Sequence, residues 1–118
     1  MEFFLKQKVL LTDYGESILD NYSVKLYARA SRDLEEIFKY IANNLSEPLA
    51  AEKLIDDLEN AIINLEFFPE RGAIRQIGLY ANKGYRQLFV KNYVIIYKVL
   101  NEQREVHVVT IRYAPSNF

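Results

Sequence analysis

Two amphipathic stripes of helical period follow one strand-like run and precede three more, and this order of periodicities limits the folds open to the chain. Ser31 precedes Leu34, Ile37, Phe38, Ile41 and Leu45, spaced i, i+3, i+4, i+7 and i+11, the apolar stripe of a helix with one buried face. Asp33, Glu35 and Glu36 occupy its first turns, where negative charge suits the helix dipole. Asn43-Asn44 and Pro48 interrupt the pattern. Ser46 is placed to cap a second helix whose first turn tolerates the proline. That helix would bury Leu54, Leu58, Ala61, Ile62 and Leu65 and end near Phe67, because Pro69 follows. A short connection between two helices makes an antiparallel hairpin.

The flanking runs have period two. Tyr22, Val24, Leu26 and Ala28 share one face of a first strand. Residues 69–84, with Pro69, Gly72, Gly78 and Gly84, read as a long loop. Three strands rich in Val, Ile, Tyr and Phe follow: Tyr85 to Val90, Tyr93 to Leu100 and Val106 to Tyr113. Lys91-Asn92 and Asn101 to Arg104 are short turns, so these strands should form an antiparallel meander. The expected fold is α+β and two-layered, β-α-α-β-β-β, with an antiparallel sheet packed against the helical hairpin. The other sheet face is left open.

A chain of 118 residues suits one core. Residues 22–118 form the expected domain, and residues 1–21 stand apart as an N-terminal extension, either a short packed helix or a segment ordered with a partner. The absence of cysteine excludes disulfides and thiolate chemistry, and a single histidine excludes a multi-histidine metal site. No glycine-rich phosphate loop, nucleophile elbow or dinucleotide fingerprint is present, so neither cofactor nor metal is expected. No apolar run approaches the roughly 20 residues of a membrane helix. Glu2, Lys6 and Lys8 do not fit a secretory leader, and cytoplasmic residence is the expectation.

The net charge of -1 conceals a strong segregation. Residues 1–70 carry 7 Lys+Arg against 14 Asp+Glu, whereas residues 71–118 carry 8 against only Glu102 and Glu105. If the two parts occupy different faces, the C-terminal part presents a field that attracts phosphates or an acidic protein.

At this point the chain resembles the RelE/ParE superfamily of bacterial toxins from type II toxin-antitoxin modules. The resemblance spans roughly residues 22–118. It is carried by Ala30-Ser31-Arg32-Asp33-Leu34 opening the first helix, Phe68-Pro69 before the loop, Gly84-Tyr85-Arg86, Tyr93-Val94-Ile95-Ile96-Tyr97-Lys98-Val99, and the closing strand Val106 to Tyr113. The resemblance implies a growth-arresting toxin of a plasmid-stabilisation module, neutralised by a cognate antitoxin. RelE-like members cleave messenger RNA on the ribosome, and ParE-like members inhibit DNA gyrase. A homodimer and a heterotetramer with the antitoxin both stay open.

The basic part lacks a carboxylate pair, because Glu102 and Glu105 fall in or beside a turn. RNA cleavage there would use the 2′-hydroxyl of the RNA, with cations stabilising the transition state and a tyrosine or histidine near the moving proton. On the resemblance, Arg86, Arg112 and Tyr113 are the candidate catalytic residues. Arg71, Arg75, Lys83, Lys91 and Tyr85 are candidates for binding nucleic acid or another target. His107 reads as a partly buried strand histidine. The chain also departs from the nuclease pattern: Pro115 and Ser116 stand where many members carry arginines, and apolar Val94 follows Tyr93. The missing cations favour a ParE-like or binding-only toxin over a ribosome-dependent nuclease. A plain protein-interaction module is the third reading.

Overall fold

The computed structural model describes residues 21–115. The N-terminal extension falls, apart from Asn21, outside the described residues, as does Ser116. In chain order the elements are β1 (Ser23–Leu26), α1 (Ala28–Lys39), α2 (Pro48–Ile63), β2 (Ala73–Ile74), β3 (Tyr85–Val90), β4 (Tyr93–Leu100) and β5 (Glu105–Tyr113). A π-helical turn, Tyr40–Asn44, extends α1, and a 3-10 turn, Asn64–Glu66, follows α2.

The α+β class and the element order agree with the periodicity, with one added strand and one change of direction. The sheet order is β1-β5-β4-β3-β2. The meander β3-β4-β5 is antiparallel as expected, but β1 pairs parallel to β5, Val24 opposite Val106, so the sheet is mixed. β1 and β5 lie some 80 residues apart in sequence, and no turn chemistry links their directions. β2 arises within the expected loop and pairs antiparallel with the start of β3, Ile74 opposite Arg86.

The helices begin differently from expectation. α1 starts at Ala28, three residues before Ser31, and this cuts the first strand short at Leu26. The earlier start puts Ala30 and Leu34, both fully buried, onto the sheet. Ser46 does not cap α2. It takes φ +56 in the linker, Glu47 holds the cap position without a side-chain bond, and Pro48 sits in the first turn.

One core lies between the layers. Leu54, Ile55, Leu58 and Ile62 of α2 meet Ile95 and Tyr97 of β4 and Val106, Val108 and Ile111 of β5. Each such aliphatic side chain contributes about 1.5–3 kcal/mol on burial. Opposite Ile96 and Tyr97, β5 inserts one extra residue: Ile96 faces Thr110 and Tyr97 faces Val108, leaving Val109 unpaired. Such a bulge bends the strand. β1 ends beside it, and α1 covers the edge that β5 exposes: the Ile111 N–H donates to Asp33 Oδ2 at 3.0 Å, and the Thr110 hydroxyl donates to the same oxygen at 2.6 Å.

Candidate functional site

The expected site residues fall into two groups at opposite ends of the sheet. The first surrounds the start of β3. Gly72 lies so close to that strand that a Cβ there would collide with the Gln87 carbonyl oxygen. Its N–H donates to the Tyr97 hydroxyl at 2.8 Å in the interior. Burial pushes the Tyr97 phenol above its usual pKa, against the opposing pull of the Gly72 N–H and the Arg86 and Arg71 charges. Arg86 reaches the same loop, donating through Nη1 to the Gly72 carbonyl at 2.7 Å and, more weakly, to the Glu70 carbonyl at 3.4 Å. Its guanidinium therefore binds down the loop between α2 and β2.

Arg75 is similarly occupied, through Nε to the Ile77 carbonyl at 3.0 Å and through Nη1 to Gln87 Oε1 at 2.9 Å. Tyr85 packs edge-on against Tyr80, ring centres 5.0 Å apart, and the Lys98 ammonium lies 5.1 Å from the Tyr85 ring centre. Arg71 and Lys83 are exposed, and no side-chain hydrogen bond or ion pair joins either to another described residue.

The second group lies at the other end, beside an open groove of about 1300 Å³ between the helices and the ends of β4 and β5. Tyr40, Leu45, Leu49, Lys91, Arg112 and Tyr113 line it. Leu49 is 79% exposed and Tyr113 65%, unusually open for large apolar surfaces. Tyr93 and Tyr113 meet edge to face at 5.4 Å. The Tyr93 phenol is raised by burial first, then by the neighbouring Tyr113 and Tyr40 hydroxyls. Lys91, at φ +54 in the tight β3–β4 turn, pairs with Asp57 of α2 at 3.3 Å. Asp57 feels partial desolvation, which alone would raise its pKa, but Lys91 and Lys53 outweigh it and the carboxyl falls below its ordinary value.

The structure does not bring Arg86 together with Arg112 and Tyr113. Arg86 pairs across the sheet with Tyr97, and Arg112 with Val94, three residues earlier on the same strand. An odd separation along a strand places two side chains on opposite faces. Four residues of β4 also separate the Arg86 and Tyr113 levels, Tyr97 and Tyr93, a rise of about 13 Å. The Arg86 guanidinium is held at its own end of the sheet by the Gly72 and Glu70 carbonyls.

A family model described as the ParE toxin of the type II toxin-antitoxin system parDE matches residues 24–117. The chain belongs to the ParE toxin family. Solved structures share its fold. A chain of the chromosomal ParDE toxin-antitoxin system from P. aeruginosa superposes with a TM-score of 0.66 at 22% identity, covering 80% of this chain and 98% of that one. A chain of the RelBE2 toxin-antitoxin complex from Mycobacterium tuberculosis gives 0.56 at 18%, covering 83% and 95%. A mutant of E. coli RelE in the free state gives 0.55 at 14%, covering 82% and 87%. No curated protein matches this chain.

Two features of this ParE-family chain were not visible in its sequence. Asp33 reads as a dipole-complementing residue of a first turn, yet its carboxylate seals the open edge of β5. Tyr97 reads as an ordinary strand tyrosine, yet its hydroxyl anchors Gly72. Only a partner brought close by folding reveals either role. His107 is partly buried, as its strand position indicated: Nε2 pairs with Glu105 Oε1 at 2.8 Å and Nδ1 with the Tyr27 hydroxyl at 3.1 Å. Lys25 joins Glu105 at 3.1 Å. The His107 hydrogen bond first, then Lys25, hold the Glu105 carboxyl below its usual pKa. Among the described residues, no group of three or more acidic or histidine side chains could hold a metal ion, and no helix is long and apolar enough to cross a membrane.

Proposed function

We propose that this ParE-type toxin arrests growth by binding a protein, DNA gyrase, and that a cognate antitoxin neutralises it. The observation that carries the reading is the separation of Arg86 from Arg112 and Tyr113. Transition-state charge in metal-free RNA cleavage needs several donors converging on one phosphate, with a proton-transfer group at hand. Here Arg86 is spent on the Gly72 and Glu70 carbonyls and faces the other side of the sheet from Arg112. The antitoxin part of the proposal is supported by the family and by the groove at the helix-sheet junction, whose exposed Tyr40, Leu45, Leu49 and Tyr113 suit an amphipathic segment that folds as it binds.

The test is ATP-dependent supercoiling of relaxed plasmid by purified gyrase, with the toxin titrated in. Parallel primer extension on a defined message in a translating bacterial extract completes it. Inhibited supercoiling with an intact message supports the proposal. Ribosome-dependent cuts with unaffected gyrase would replace it by the nuclease reading.

A further inference from the structure

From Arg71 to Asn101 the chain contains no aspartate or glutamate. Within that stretch, the end of β2 and the segment joining it to β3 expose three aliphatic side chains: Ile74 at 42%, Ile77 at 47% and Leu79 at 73%. Single exposed aliphatics are ordinary on a protein surface. These three fall within six residues of a loop that is firmly closed. The Arg75 N–H donates to the Tyr85 carbonyl at 2.8 Å, the Asn82 N–H to the Arg75 carbonyl at 3.1 Å, and the Ala81 N–H to the Gly78 carbonyl at 3.1 Å. The Arg75 guanidinium fastens it from within, through the Ile77 carbonyl and Gln87. Gly78, at φ +80, leaves room for that guanidinium, since a Cβ there would lie 3.3 Å from Nη2. A loop so tied has little freedom left to lose on binding. Neither Ile77 nor Leu79 packs against the core.

We infer that this loop is the element that docks the toxin onto its target, and that its occupant is a protein surface offering an apolar cavity rimmed with carboxylates. The inference deepens the gyrase reading and rests on it. Two observations select an acidic protein. Ile77 and Leu79 fill cavities but cannot stack on bases, while the nearby aromatic rings are engaged, Tyr80 against Tyr85 and Tyr85 beneath Lys98. Arg71 and Lys83 flank the loop exposed, and the stretch from Arg71 through Asn101 supplies cations and no carboxylate, which complements an acidic rim.

The experiment compares the wild-type chain with Ile77→Ser/Leu79→Ser, with the conservative pair Ile77→Val/Leu79→Met, and with Lys83→Glu. Each is assayed for inhibition of purified gyrase and for growth arrest on induction. All should melt with the wild type, because the altered groups face solvent. The serine pair should need about tenfold or more protein for equal inhibition, as expected when central apolar anchors are truncated. The conservative pair should retain inhibition, and Lys83→Glu should weaken it more at low salt than at high salt. If the serine pair inhibits gyrase as the wild type does, the inference is overturned. If the wild type itself does not inhibit gyrase, the gyrase reading falls and growth arrest decides the loop. Arrest kept by the serine pair then overturns the inference, and arrest lost by a folded serine pair sustains it for another acidic protein. Arrest lost by Lys83→Glu but kept by the serine pair would make the surface a polyanion contact and overturn it.

Discussion

The backbone N–H of Gly72 donates a 2.8 Å hydrogen bond to the hydroxyl of Tyr97, a side chain fully buried between the sheet and the helices. The contact joins the loop after α2 to the centre of β4 and sets the stage on which Arg86 and β2 are placed. Tyr97→Phe keeps the ring and strands the Gly72 N–H. It should lower unfolding free energy by about 1–3 kcal/mol, read from urea denaturation. Gly72→Ala should cost at least as much, because the added methyl collides with the Gln87 carbonyl oxygen and the loop must move off β3.

Asp33 accepts from both the Thr110 hydroxyl and the Ile111 N–H. Asp33→Ala leaves both donors at the edge of β5 without their acceptor and should destabilise the fold by about 1–3 kcal/mol. Amide exchange at Ile111 is the local readout and should accelerate more in this variant than exchange at Ile95.

Arg86 and Arg112 should separate in mutagenesis. Arg86→Ala deprives the Gly72 carbonyl of its 2.7 Å donor and should lower stability by about 1–2 kcal/mol. Arg112→Ala, at an exposed position, should change stability by less than about 0.5 kcal/mol. Thermal melts of the two variants, beside their growth arrest, show whether any loss of toxicity by Arg86→Ala is a loss of folding.

Glu105 contributes a pH-dependent component with a definite sign. Its folded pKa is depressed below the ordinary 4.5, so the stability it contributes is present above that value and is lost as pH falls through the folded pKa. Glu105→Gln should therefore flatten the fall of the urea midpoint on acidification below about pH 4.5. An unchanged acid slope would remove Glu105 from the acid response.

Much of this architecture was legible in the sequence because it is local. The stripe Leu34-Ile37-Phe38-Ile41 follows from the helical repeat whatever it packs against. The Lys91-Asn92 turn joins β3 to β4 as its brevity required. The site was less legible. Arg86 and Arg112 both read as available cations, and their strand positions alone do not show that one binds carbonyls on the helix-covered face while the other stays exposed on the opposite face.

The sequence by itself determined the α+β class, the order of elements, the antiparallel meander and the basic character of the C-terminal part, since each depends on residues adjacent in the chain. Only the tertiary structure decided the parallel pairing of β1 with β5, the bulge at Val109, the seal made by Asp33 and the division of the basic residues between two ends of the sheet. Those features depend on register and face between segments distant in sequence, and a shift of one residue in strand pairing moves every side chain to the other side.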